Sequence, residues 1–248
     1  MTPLLVAVIV AAFCFGAGLQ RIAGLGMGLV VAPLLTLVLG PAVGVTLSNA
    51  GAVVTTLLVF MATRRDVDWR TFSRLAPLVV LGSVAGAFVV LHMDAAWLEV
   101  LIGSLVLASL GLIGVNQGRL DIGGRGVAAI AGAAGGFMNA TAGVGAPALT
   151  IYAVATRWGQ KSFAATAQPV LLLANLSSLL AKYAVGALPP ESATSWWVYL
   201  VVAGSVAVGV PVGGYLTRWI STTTARRLAV TIATLGGCVT LARGLIGL

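Results

Sequence analysis

Titratable residues other than arginine are scarce in this sequence. Its 248 residues include six Asp and Glu, one His and two Cys. The carboxylates and the histidine fall in predicted loops or at the ends of apolar runs: Asp66, Asp68, Asp94, Glu99, Asp121, Glu191 and His92. The apolar runs therefore offer no paired groups for acid–base catalysis, no metal ligand set and no carboxylate for a proton relay. We predict a protein that is not an enzyme and holds no metal or cofactor.

Three further patterns are missing. No Gly-x-x-x-x-Gly-Lys-Ser/Thr motif occurs, which argues against ATP-driven pumping by this chain. The first 20 residues have no basic start and no convincing small-x-small cleavage pattern, so we expect them to belong to the mature structure. Cys14 and Cys238 lie within apolar runs, which predicts two core thiols rather than a disulfide framework.

Charge of either sign is low, and apolar residues dominate. Charged residues make up 8% of the chain and hydrophobic residues 59%, with a mean hydropathy of +1.07, whereas soluble domains contain about 25% charged residues. Several apolar runs approach or exceed the ~20 residues that cross a bilayer: 41–63, 75–91, 97–115, 162–181 and 196–217. Apart from Glu99 near the start of the third, they are uncharged. They are too long and too uniformly apolar for barrel strands, so we predict an all-α integral membrane protein.

The chain contains an internal repeat. At an offset of 119 residues, "AGLGMG" (23–28) lies over "AGVGAP" (142–147), and Gln20 and Asn49 lie over Asn139 and Gln168. The sequence has only eight Asn and Gln in total, so two matched pairs at one offset are hard to assign to chance. We therefore predict two membrane repeats, 1–115 and 126–248, joined by a polar, Gly-rich linker at 116–125.

Each repeat consists of five apolar segments, of which the first two are short. The segments are 3–19, 27–39, 41–63, 75–91 and 95–115, and then 126–139, 145–156, 160–186, 194–217 and 222–246. Each short pair is either one hairpin of short spans or two half-helices that meet in a re-entrant hairpin at a Gly-rich break. We thus expect about 8–10 membrane segments.

The cations predict the orientation. If the chain starts outside and alternates, 11 of its 14 Lys and Arg fall on one side, which the positive-inside rule makes cytoplasmic. These are Arg64, Arg65, Arg70, Arg74, Arg119, Arg125, Arg157, Lys161, Arg218, Arg226 and Arg227. Five segments per repeat give the halves opposite orientations, an inverted-topology repeat with both termini outside. The cations are dispersed over several loops, so the net charge of +8 does not indicate nucleic-acid binding.

Two Gly-rich stretches carry a family resemblance. "GAGLQRIAGLGMGLVVAPLL" and its repeat "GAAGGFMNATAGVGAPALTIY" resemble the signatures of the sulfite exporter TauE/SafE family, as does "GVPVGGYLTRWIS" later in the chain. The resemblance covers nearly the whole chain. It implies a multi-pass permease of the bacterial cytoplasmic (inner) membrane for small sulfur-containing anions such as sulfite or sulfonates.

The two breaks form the predicted substrate site. Irregular backbone is tolerated at membrane depth only where protein or a water-filled cavity satisfies it. The second segment of each repeat begins at a break, near Met27 and near Gly145, and the free N–H groups of a helix start bind anions. Five glycines would let the backbone approach a ligand closely: Gly24, Gly26, Gly28, Gly143 and Gly145. Helix packing is their alternative role, and we assign that role to Gly82/Gly86 and Gly209/Gly213.

Uncharged polar side chains complete the predicted site. The amides that obey the repeat can donate to sulfite or sulfonate oxygens, or can bond between helices: Gln20, Asn49, Asn139 and Gln168. Nearby hydroxyls and one unpaired amide are further candidates: Thr46, Ser48, Thr141, Thr166 and Asn175.

Two cations have a special position. Arg21 lies at the first break, and its fork of donors suits an oxyanion within the membrane, but it can equally snorkel to the cytoplasmic surface. Lys182 lies near the outer end of a long apolar segment, and we expect it to snorkel outward.

We therefore predict an anion permease that works by alternating access or a gated path around the two breaks. Its partners would be a small anion and the lipid bilayer, and the sequence leaves open whether it acts alone or as a homodimer. A non-transporting membrane scaffold or assembly factor is the alternative, although the short loops offer it little partner surface. An intramembrane enzyme would lack catalytic pairs.

Overall fold

The computed structural model describes residues 2–23, 27–115, 125–189 and 195–248. Within these ranges the chain forms ten α-helices and no strand. The helices are α1 (Pro3–Ala23), α2 (Ala32–Leu39), α3 (Pro41–Thr63), α4 (Trp69–His92), α5 (Ala95–Val115), α6 (Arg125–Ala142), α7 (Ala146–Ala155), α8 (Gln160–Val185), α9 (Trp196–Leu216) and α10 (Thr222–Ile246). A π-helical turn at Met27–Val31 leads into α2. The predicted all-α membrane fold is confirmed.

Six helical segments are long and apolar enough to cross a membrane: 3–22, 41–66, 69–92, 160–185, 196–216 and 222–246. Three shorter apolar stretches lie at Met27–Leu39, Ala95–Gly111 and Ala146–Ala155. The segment from Met27 to Leu39 has 13 residues and α7 has 10, so at 1.5 Å per residue each covers only about 15–20 Å. Neither is long enough to cross a bilayer of about 30 Å by itself.

Local chemistry sets the helix ends. Asp68 accepts hydrogen bonds from the backbone N–H of Arg70 and Thr71, which fixes the start of α4 six residues before the apolar run begins. The Thr71 hydroxyl also donates to this carboxylate at 2.6 Å and holds the pKa of Asp68 below its ordinary value. Gly186 ends α8 in the left-handed region with φ of +74°.

The helices pack in a pattern that involves both predicted repeats. Helix α1 packs on α9 and α4 packs on α6, while α3 packs on both α8 and α9 and α4 also packs on α8. Helix α5 packs along α10. One apolar core lies between α1, α3 and α9 around Phe13, Leu47 and Val202. Another lies between α4, α6 and α8 around Leu75 and Val170.

Glycines bring two helix pairs into backbone contact. A β-carbon on Gly82 of α4 would overlap the Ala133 carbonyl oxygen of α6, and one on Gly209 of α9 would lie 2.6 Å from the Cys14 carbonyl oxygen of α1. The packing role predicted for these glycines is confirmed.

The two cysteine thiols are free, but Cys14 is only partly buried and Cys238 is exposed, so the prediction of two core thiols is wrong. Cys14 lies on a face of α1 that only partly turns inward, and Cys238 lies on an outward face of α10.

Candidate functional site

The starts of the two short helical segments meet in the interior. A β-carbon added to Gly28 would overlap the carbonyl oxygen of Gly143 and would lie 3.5 Å from the Val144 α-carbon. Gly143 joins α6 to α7 with φ of +70°, a conformation that a side chain would strain. Its N–H donates to the Asn139 carbonyl at 2.9 Å, which closes the end of α6. A side chain at position 28 would therefore block the contact, and a side chain at position 143 would strain the backbone conformation that presents this carbonyl.

A cavity of about 40 Å³ lies beside this contact. It has room for a few waters or one small ion. The residues that line it are Gln20, Met27, Gly28, Leu29, Ala52, Thr55, Thr56, Asn139, Gly143, Val144, Gly145, Ala146, Leu171 and Asn175. Its wall thus contains both helix starts, three amide side chains and two hydroxyls, and none of these residues is charged. We refer to it as the central cavity.

An amide side chain caps the first helix start. Gln20, near the end of α1, accepts a hydrogen bond from the Met27 N–H through Oε1 at 3.2 Å. This contact pairs one of the free N–H groups that begin a helical segment. The side-chain amide group of Gln20 therefore lies where the chain re-enters helical structure, at the edge of the central cavity.

A hydrogen-bond network orients the amides on the other side. Asn139 Nδ2 donates to Asn175 Oδ1 at 3.0 Å and to Ser178 Oγ at 3.3 Å. Asn49 Nδ2 donates to the Asn139 carbonyl at 3.3 Å. These bonds tie α3, α6 and α8 together at the cavity and hold the side chains of Asn139 and Asn175 in fixed positions.

A second pair of hydroxyls, which sequence reasoning did not identify, extends the polar interior. Ser177 donates to Ser83 Oγ at 2.9 Å, and Ser83 Oγ in turn donates to the Gly136 carbonyl oxygen at 3.4 Å. Ser178 was also missed. Its spacing of three residues after Asn175 on α8 is the pattern that could have revealed it, because residues i and i+3 share a helix face.

A wider cleft leads from the central cavity toward the cationic loops. It has a volume of about 600 Å³ and shares Gln20, Ala146 and Leu171 with the central cavity. Arg157 and Arg226 lie among its lining residues. A cation-lined entrance favours the approach of an anion. The cleft thus opens the central cavity toward one side of the molecule.

The structure brings together some predicted site residues and not others. Those that line the central cavity are Gln20, Gly28, Asn139, Gly143, Gly145 and Asn175, and Gln168 lines the cleft. Thr141 is buried and donates to the Phe137 carbonyl at 2.8 Å. Thr166 accepts from the Asp68 N–H at 2.8 Å, so its hydroxyl holds the start of α4.

Three buried polar residues lie on α3, and two of them, Ser48 and Asn49, lie beside Gly143 of the cavity wall. Thr46, Ser48 and Asn49 are each at most 1% exposed. The Thr46 and Ser48 hydroxyl oxygens and Asn49 Oδ1 have no hydrogen-bond partner in the described part of the chain. A β-carbon on Gly143 would lie 3.5 Å from Asn49 Oδ1. These atoms are free to bond to water or to an ion.

The remaining predictions concern the first break and the outer lysine. Arg21 is exposed, lies next to Gly214 of α9, and lines neither cavity. Gly24 and Gly26 lie outside the described residues. Lys182 is 0% exposed, so the prediction that it snorkels is wrong. Its position on α8, one turn after the buried Ser178, directs it to the helix face that packs against other helices rather than to the surface.

This helical architecture, with polar groups buried along a path between its helices, is typical of multi-pass membrane transporters. A comparison with known protein families identifies the family. The model of the sulfite exporter TauE/SafE family matches residues 8–240, nearly the whole chain. The chain belongs to this family, as the sequence motifs predicted. No curated protein and no solved structure matches it.

Proposed function

We propose that this protein is a permease that carries small sulfur-containing anions, such as sulfite or sulfonates, out of the bacterial cytoplasm by alternating access around the two helix starts. The observation that carries the proposal is the central cavity. It is lined by the beginnings of two helical segments and by Gln20, Asn139 and Asn175, without a charged side chain. Gln20 Nε2 and the second N–H of Asn175 Nδ2, whose first N–H donates to the Leu171 carbonyl at 2.7 Å, can donate to an oxyanion at a much smaller desolvation penalty than a buried cation.

The packing of the helices supports an inverted repeat. If the two repeats are related by a two-fold axis, α1 corresponds to α6 and α4 to α9. The contact of α1 with α9 is then equivalent to the contact of α4 with α6, and α3 with α9 is equivalent to α8 with α4. This pattern agrees with two five-segment halves that form the site at their interface. The Gly-rich breaks are then related parts of one anion site.

The cleft supports a particular state of the transport cycle. It joins the central cavity from the side that carries Arg157 and Arg226, which the positive-inside rule assigns to the cytoplasm. We interpret this arrangement as a cytoplasm-open state with both termini on the outer side of the inner membrane. Closing the cleft and opening a path on the other side would complete alternating access.

The membrane potential can drive export without a proton relay. Moving one negative charge out of a cell that is negative inside releases about 2.3 kcal/mol per 100 mV. This driving force is independent of any carboxylate in the cavity. Outward transport that is coupled only to the potential is therefore the simplest mechanism for this site.

Flux measurements test the proposal. The purified protein in liposomes should transport labelled sulfite or a sulfonate, faster when a potassium diffusion potential favours anion movement. Asn175→Ala removes an amide from the central cavity and should lower flux at sub-saturating sulfite about tenfold, because each hydrogen bond to a charged group contributes about 1.5–3 kcal/mol. Asn116→Ala, in the linker, is the matched control and should keep wild-type flux. Equal flux in both variants would refute the site, and a folded wild type that moves no member of a panel of sulfur oxyanions and sulfonates would favour the scaffold alternative.

A further inference from the structure

The most unusual side chain of this protein lies outside the central cavity. Lys182, in the last turn of α8, is fully buried, and its Nζ has no hydrogen-bond partner in the described part of the chain. The chain has one other lysine, Lys161, which is exposed and forms an ion pair with Asp66 at 2.8 Å. The two lysines thus provide a natural comparison between a buried and an exposed ammonium group.

A buried ammonium group without a partner is strongly unfavourable. Ionisable groups in the membrane interior of transporters mark substrate pathways, because a purely structural role is better served by an apolar side chain. A buried polar atom without a partner therefore indicates a ligand or water that pairs with it during function. For a lysine, that ligand would be an anion.

Lys182 continues a polar stripe of α8. Its polar members are Gln168, Asn175, Ser178 and Lys182, and with the apolar Leu171 between the first two they are spaced by three and four residues, which places them on one face of the helix. Gln168 lines the cleft, Leu171 lines both cavities and Asn175 lines the central cavity. Ser178 accepts a hydrogen bond from Asn139. The stripe therefore leads from the cationic cleft through the central cavity to Lys182.

We propose that Lys182 is a second anion site, which receives the substrate after it leaves the central cavity on the way out. This inference rests on the proposed function. Lys182 follows Asn175 by seven positions, so the two sites are about 10 Å apart along the helix. Three ammonium donors and a full charge suit the oxygens of a sulfite or sulfonate group. The amide site selects the anion on entry, and the lysine site draws it toward the outer side.

The first experiment measures stability with and without an anion. Lys182→Met removes the charge but keeps an unbranched side chain. In buffer without small oxyanions its Tm should equal or exceed that of the wild type, since an unpaired buried charge is removed. Added sulfite should raise the Tm of the wild type and of Lys161→Met by more than it raises the Tm of Lys182→Met. Equal sulfite-induced shifts in all three proteins would overturn the proposal.

The same Tm measurement distinguishes an anion site at Lys182 from a purely structural ion pair. Glu191 follows nine residues after Lys182 in sequence, outside the described residues. If this carboxylate is the partner of Lys182, Lys182→Met will lower the Tm in oxyanion-free buffer and the added Glu191→Gln will restore it. That result would also overturn the proposal.

The second experiment measures flux in liposomes. Lys182→Met should lower sulfite efflux at sub-saturating concentration about tenfold, Lys182→Arg should retain more flux because it keeps the charge, and Lys161→Met should match the wild type. Wild-type flux in Lys182→Met would refute the second site while leaving the proposed function intact. A wild type without flux would refute the proposed function, and the sulfite-induced Tm shifts would then decide by themselves whether Lys182 binds the anion.

Discussion

At the scale of single residues, the contact between Gly28 and Gly143 brings the two helix starts together at the wall of the central cavity. A β-carbon on Gly28 would meet backbone atoms, which cannot move aside as a flexible side chain can. The approach of the two helix starts thus depends on the absence of a side chain at Gly28 and on the left-handed backbone conformation of Gly143.

Gly28→Ala should therefore separate the two helix starts. We expect a loss of about 1–3 kcal/mol in the free energy of unfolding, as for other overpacked interiors, together with a large loss of sulfite flux. Thermal unfolding in detergent and liposome flux are the measurements.

Gly204→Ala is the matched control. Gly204 lies within α9, is exposed, and has no atom within 4 Å of an added β-carbon. This variant should keep or raise the Tm, because alanine favours a helix by about 1 kcal/mol over glycine. The same loss in both variants would show that the Gly28 contact has no special role.

Residue-scale reasoning from the sequence found the amides but not their arrangement. The repeat identified Gln20 and Asn139, which line the central cavity. It did not predict that the Thr166 hydroxyl would be engaged by the Asp68 N–H, because that contact joins positions 98 residues apart. The burial of Lys182 likewise could not be predicted, since the sequence does not show which face of α8 packs against other helices.

At the scale of elements, the side chain of Arg243 joins the end of α2 to two longer helices. Arg243 of α10 forms an ion pair with Glu99 of α5 at 3.0 Å and donates from Nη1 to the Leu37 carbonyl at 2.8 Å. The Glu99 side chain is 7% exposed, whereas that of Arg243 is 48% exposed. One guanidinium therefore links α2, α5 and α10 on the side that is predicted to be outer.

Removing one partner of this ion pair should lower the Tm more than removing both partners. Arg243→Met leaves the buried Glu99 carboxylate unpaired and should lower the Tm, whereas the double variant Glu99→Gln/Arg243→Met should recover part of the loss. Thermal unfolding of the two single variants and the double variant measures this coupling. Strictly additive losses would show that the pair does not hold the three helices together.

The apolar segments themselves were predictable because a membrane helix needs a long uncharged run, and the helices occupy the predicted positions. The residues at which the helices begin and end were harder to predict. Helix α4 begins at Trp69 rather than at residue 75 because Asp68 caps its polar first turns, and hydropathy alone does not report capping.

At the scale of the whole molecule, the distribution of cations predicts one orientation in the membrane, with the termini outside. Thiol labelling of intact cells tests this orientation in a background of Cys14→Ala/Cys238→Ala. A membrane-impermeant reagent should label Thr2→Cys and Asp94→Cys from outside, and should label Arg65→Cys and Arg227→Cys only after the cells are opened. All four positions are exposed, so accessibility to the reagent depends on the side of the membrane. Labelling of Arg65→Cys in intact cells would contradict the predicted orientation.

The central claim is that the two helix starts together bind the anion. The most direct test is a crystal structure with selenite, a heavier analogue of sulfite, whose selenium can be located by its anomalous scattering. Our account predicts an anomalous peak in the central cavity, within hydrogen-bonding distance of backbone N–H groups near Gly28 and Gly145 or of the Gln20 and Asn175 amides. A wild-type protein that transports sulfite but shows its selenite peak only at sites away from this cavity would contradict the account.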